Sequence, residues 1–155
     1  MPRWRTILVP VDFSEHSRHG LETARDIARE TGGRLVLVHV VPDLLPTFVP
    51  DIAGFSDGEL LHAAVERARR ELEGFAPPGG LDAPGGVERR VEAGTVHAEI
   101  VRVAGEVGAD LIVIATHGRT GARHLLLGSV AERVVRTAPC PVLVVKPGAP
   151  PAEGG

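Results

Sequence analysis

The chain has 155 residues, 43% of them apolar, 24% charged and 3% aromatic, with a formal net charge of −3. That length suits one domain able to bury about 70% of its unfolded surface without disulfides or a structural metal, and the charge balance argues against sequence-independent nucleic-acid binding. Lys146 is the sole lysine, which leaves none for a Walker-type phosphate loop or a Schiff base.

The first strand is expected at 5–11, RTILVPV. Its apolar run is broken by Pro10 and Asp12 and is too short for a signal-peptide core. No run approaches the roughly 20 apolar residues of a membrane span, so a cytoplasmic location without membrane attachment is expected. A helix follows, capped by Ser14 or Ser17 and carrying Leu21, Ala24, Ile27 and Ala28 on one face, with Gly32 and Gly33 as its stop. The second strand is RLVLVHVV, 34–41.

Residues 42–56, with three prolines and several apolar side chains, read equally as a lid or as a loop packed on the sheet edge. A second helix over about 57–75 places Leu61, Val65, Ala68, Leu72 and Phe75 at three- and four-residue spacing. The glycine- and proline-rich 76–86 reads as a flexible connection. The third strand, 87–93, is the polar one and belongs at an edge. Thr95 can cap a third helix with Ile100, Val103, Ala104 and Val107 as its buried stripe and Gly108 as its stop. Strand four is 110–116, and a fourth helix opens at SVAE, where Ser129 and Glu132 have the spacing of a capping box. The last strand is 141–146, preceded by the lone Cys140, which reads as a buried, inert thiol; residues 148–155 read as a flexible tail after a single domain, 1–147.

Strands alternating with helices mark a parallel α/β sheet, and four of the five strands have the continuous apolar character of strands covered on both faces. Ligands of such sheets bind beyond the carboxyl ends of the strands, where strand order reverses. Strands one and four are expected to flank that point, so VPVDFS and ATHGRTG should face each other. Asp12 there can serve a ligand or simply bond the free N–H groups at the start of the first helix. Gly118, Gly121 and Gly128 allow close approach to the main chain, the following helix N-terminus favours an anion, and Arg119 and Arg123 can add charge-assisted contacts. The segment is neither a P-loop nor a GxGxxG turn. His39 reads as a satisfied core or crevice histidine, no histidine pair has zinc-ligand spacing, and Ser14 lacks the nucleophile elbow that a hydrolase triad with Asp12 and His117 would need.

On these residues the chain resembles the universal stress protein family. ILVPVDFSEHS is similar to that family's opening strand and turn, and ADLIVIATHGRTGARHLLLGSVAERVVRTAPCPVLVVK to its carboxyl-terminal block. The family's ATP-binding members carry Gly, two residues, Gly, nine residues, then Gly followed by Ser or Thr. Here the spacing is intact and the first position is alanine: Ala115, Gly118, Gly128, Ser129. Alanine suits that position if the backbone stays in the β region and not if it needs positive φ.

The resemblance implies a three-layer open five-stranded sheet of order 3-2-1-4-5 with four helices, Rossmann-like. It implies ATP with Mg²⁺ as ligand: Pro10, Val11 and Asp12 at the nucleoside, Val40 and Ile114 against adenine, and Gly118, Gly128, Ser129 and Val130 holding ribose and phosphates. It also implies a homodimer through Pro141 to Lys146. A nucleotide-binding stress-response module with at most slow hydrolysis is the leading expectation; an interaction protein that has lost the nucleotide, and a true ATPase using Asp12 or His117, are the alternatives.

Overall fold

A computed structural model describes residues 4–43, 57–116 and 128–146 of the chain. The branched aliphatic runs form β1 (Thr6–Pro10), β2 (Arg34–Pro42), β3 (Val87–Gly94), β4 (Leu111–Ala115) and β5 (Val142–Val145). The amphipathic segments between them form α1 (Glu15–Thr31), α2 (Asp57–Gly74), α3 (Val96–Val107) and α4 (Ser129–Thr137). All strand pairs are parallel and the order is β3-β2-β1-β4-β5, as expected.

This order places the helices. Right-handed crossovers from β1 to β2 and on to β3 put α1 and α2 on one face, while the return to β4 and β5 puts α3 and α4 on the other. The core divides accordingly: Ile7, Val9, Leu37 and Val113 pack under Leu21, Ala24 and Leu72, whereas Leu8, Val36 and Ile112 pack under Ile100, Val103 and Val134. Adjacent strand residues thus feed opposite layers, which is why the central strands are apolar throughout. The polar β3 lies at one edge, with Glu88 and Arg89 exposed.

The ends of α1 and α3 follow their sequence signals with one difference. Ser14 caps α1, accepting the Ser17 N–H at 3.1 Å, and Gly32 and Gly108 take left-handed conformations that stop α1 and α3. Thr95 occupies the N-cap of α3, but its side chain makes no capping bond.

The expectation that 76–86 is a loose connection is overturned. Arg25, only 6% exposed, donates from Nη1 to the carbonyls of Pro78 (2.7 Å) and Gly80 (2.9 Å). Arg18 reaches the Ala76 carbonyl at 3.2 Å, and Arg29 pairs with Asp82. The segment ends by donating Gly85 N–H to Gly33 O (2.9 Å), so close to β2 that a Cβ on Gly85 would lie 2.7 Å from Arg34 N. Three arginines on one flank of α1 therefore fasten the connection along that helix. Cys140 is half-buried, and burial, reinforced by the charge of Asp110, pushes its thiol pKa up, away from nucleophilic thiolate.

Candidate functional site

β1 and β4 are neighbours whose following helices lie on opposite faces, so the carboxyl edge of the sheet parts between them. A cleft of about 810 Å³ opens there, a volume typical of small-molecule sites. Its floor is apolar: Val38 and Val40 of β2, Ile114 of β4, Ile100 of α3 and Ala131 of α4, which belong to the α3/α4 core layer. Such a floor can take the flat face of a ring without desolvating any charge.

The turn from β1 to α1 forms one side. Asp12 Oδ1 accepts the Ser14 N–H at 3.0 Å and the Ser14 hydroxyl, so Asp12 performs the helix-start role open to it and also lines the cleft. Phe13 follows with φ of 66°, a left-handed conformation unusual for an aromatic residue. Its ring stacks on His39 with centroids 4.4 Å apart and meets Phe75 edge-on at 5.5 Å. His39 donates from Nδ1 to the Val11 carbonyl at 2.7 Å, which fixes its tautomer and ties β2 to the turn. A face of α2 closes this side with Ala64, Arg67, Ala68 and Glu71, at positions i, i+3, i+4 and i+7.

The opposite side is built from the ends of β4 and α4. Gly128 N–H donates to Thr116 O at 2.7 Å, joining the two ends of the glycine-rich segment. That bond decides the cap. Gly128, extended at φ −58° and ψ 155°, is the N-cap, and Ser129 is already helical, so the expected capping box does not form. Glu132 instead pairs with Arg136 at 2.8 Å. Among the described residues no side chain caps α4, and the first N–H groups of a helix have no partner within it.

Ala115 is the last residue of β4, paired with Val145, and is not at positive φ. Its methyl group lies across from Gly20 of α1, where a Cβ built on the glycine would stand 3.9 Å from it. The extra methyl relative to glycine is thus housed in the α1 layer. Because that contact is ordinary and Gly20 sits inside a helix, Gly20→Ala is expected to stabilise the protein by about 0.5–1 kcal/mol, measured by urea unfolding; a loss of stability would mean that the two layers cannot accept the methyl.

Pro10, Val11, Asp12, Val40, Ile114, Ala115, Gly128, Ser129 and Val130 all line this one cleft. Gly118 and Arg119 lie outside the described residues, as do His117, Gly121, Arg123 and 44–56 of the expected lid. Sequence reasoning placed Phe13 and Thr116 within the two facing stretches without singling them out, and missed the α2 face. The α2 spacing was legible as a helix face, but nothing local says what that face meets.

Fold and cleft together define a doubly wound α/β protein with a ligand-sized crevice at its switch point. Within that class the chain belongs to the universal stress protein family, whose sequence profile matches residues 3–146. It is 35% identical over 145 residues to universal stress protein MJ0531 of Methanocaldococcus jannaschii, covering 92% of this chain and 82% of that one. Its fold matches the solved structure of protein MJ0577 from the same organism with a TM-score of 0.73 and 28% identity, covering 96% of this chain and 100% of that one. It also matches a universal stress protein from Archaeoglobus fulgidus, solved in complex with dAMP, with a TM-score of 0.55 and 26% identity over 94% of this chain and 100% of that one.

Proposed function

We propose that the switch-point cleft binds ATP with Mg²⁺ and that the chain is a cytoplasmic, homodimeric stress-response module whose signal is nucleotide occupancy. The observation that carries this reading is the meeting, in one cleft, of an apolar floor for a base with a helix N-terminus for phosphates that no described side chain caps. The dAMP complex of the Archaeoglobus relative supports an adenine nucleotide as the occupant. That Ala115 needs no positive φ and that its methyl faces Gly20 of α1 support a cleft that still admits the nucleotide.

Val40 and Ile114 would cover the base, Asp12 would serve the nucleoside, and Gly118, Gly128, Ser129 and Val130 the ribose and phosphates, with Arg119 adding charge. The described residues contain no group of three or more metal-ligating side chains, so Mg²⁺ would be held chiefly by phosphate oxygens and water, as is usual for that ion. Hydrolysis is expected to be slow, because Asp12 is engaged by Ser14. The dimer would form along β5, an edge strand on which Leu143 is 39% exposed.

Purified protein, denatured and chromatographed, should release adenine nucleotide, or the empty protein should take up Mg-ATP in a calorimetric titration. A protein that carries none and binds none overturns the nucleotide reading. Sedimentation equilibrium at micromolar concentration should give twice the chain mass; a monomer removes the dimer.

A further inference from the structure

Thr116 follows the last residue of β4 and lines the cleft beside Gly128. Its main chain is fully committed: the N–H donates to Val145 O at 3.0 Å and the carbonyl accepts from Gly128 N–H at 2.7 Å. The residue is therefore held by β5 and by the start of α4. Its hydroxyl is the exception. Thr116 is 7% exposed, and Oγ1 is buried with no hydrogen-bond partner among the described residues. Folded proteins rarely leave a buried hydroxyl unmatched, because its hydration is lost and nothing replaces it. Valine would fill the same volume without that cost, so packing alone gives no reason for the oxygen.

The neighbouring groups indicate what would match it. The uncapped first turn of α4 begins twelve residues along the chain, yet the Gly128 bond brings it directly beside Thr116. A donor next to free helix N–H groups complements an anionic oxygen. Threonine populates more than one χ1 rotamer, so the hydroxyl of this cleft-lining residue can exchange places with its methyl group.

We propose that Thr116 is a further ligand-binding residue, whose Oγ1–H donates to a phosphate oxygen of the nucleotide at the α4 N-terminus. This rests on the nucleotide reading above. The hydroxyl then has a partner in the bound state and none in the empty one, so its removal should act in opposite directions on affinity and on stability.

The test compares wild type, Thr116→Val and Thr116→Ser by calorimetric titration with Mg-ATP and with adenosine, and by urea unfolding without nucleotide. Thr116→Val should bind ATP about tenfold or more weakly, as loss of a hydrogen bond to a charged group predicts. It should bind adenosine unchanged and unfold at the same or a higher urea midpoint, while Thr116→Ser stays near wild type for both ligands. Unchanged ATP affinity in Thr116→Val overturns the proposal, as does an equal loss for adenosine. A lower urea midpoint also counts against it, since the hydroxyl would then support the fold. A wild-type protein that binds neither ATP nor adenosine fails at the earlier step and removes the nucleotide reading itself.

Discussion

Gly128→Val should bind ATP at least about 100-fold more weakly than wild type, the equivalent of losing two hydrogen bonds to charged oxygens at about 1.5 kcal/mol each. The backbone makes this a clean substitution. At φ −58° and ψ 155° Gly128 occupies a region open to any L-residue, and its N–H can still donate to Thr116 O. What changes is the cleft wall. A β-branched side chain at the N-cap would stand at the mouth of the uncapped first turn of α4 and block approach to the N–H groups there. Stability should fall only by about 1 kcal/mol, because valine is a poorer N-cap than glycine. Calorimetry with Mg-ATP checks the affinity and urea unfolding checks the fold. Retained affinity in a folded variant would place the phosphates elsewhere.

The same position shows where local sequence signals lose to tertiary ones. SVAE has the spacing of a capping box, and read alone it makes Ser129 the N-cap. The bond from Gly128 N–H to Thr116 O fixes the residue before it, a constraint set by a strand end twelve residues away. The strands were legible because burial on both faces demands unbroken branched aliphatic runs, and the same runs fix the layers once the order is known. The polar β3 declared itself as an edge. By contrast, 76–86 reads as a linker from its glycines and prolines, while its order comes from Arg18, Arg25 and Arg29, which reach it from a helix over fifty residues earlier. The cleft residues named from Pro10 to Val130 were legible chiefly through the family resemblance, with motif spacing pointing to Ala115, Gly128 and Ser129. The α2 face was not, since a helix stripe carries no mark of which surface it will meet.

Phe13 was illegible for a different reason: sequence patterns assign positive φ to glycine, and an aromatic residue is a poor candidate for it. Its conformation, at φ 66°, costs about 1–2 kcal/mol for an L-residue and must be held by its surroundings. The ring is what holds it, stacked on His39 at 4.4 Å and edge-on to Phe75 at 5.5 Å. Phe13→Ala removes that support and keeps the strain, so it should destabilise the protein by about 2–3 kcal/mol, at the low end for a buried phenylalanine because the ring is half-buried. Phe13→Gly removes the same ring but adopts positive φ freely, and should therefore be about 1 kcal/mol more stable than the alanine variant, although glycine is ordinarily the costlier residue. Urea unfolding of the three proteins tests that inverted order. If alanine proves the more stable of the two, the turn relaxes once the ring is gone and stores no strain. Both variants should also bind Mg-ATP more weakly, because the turn carries Val11 and Asp12 into the cleft and the aromatic stack is what fixes it against β2.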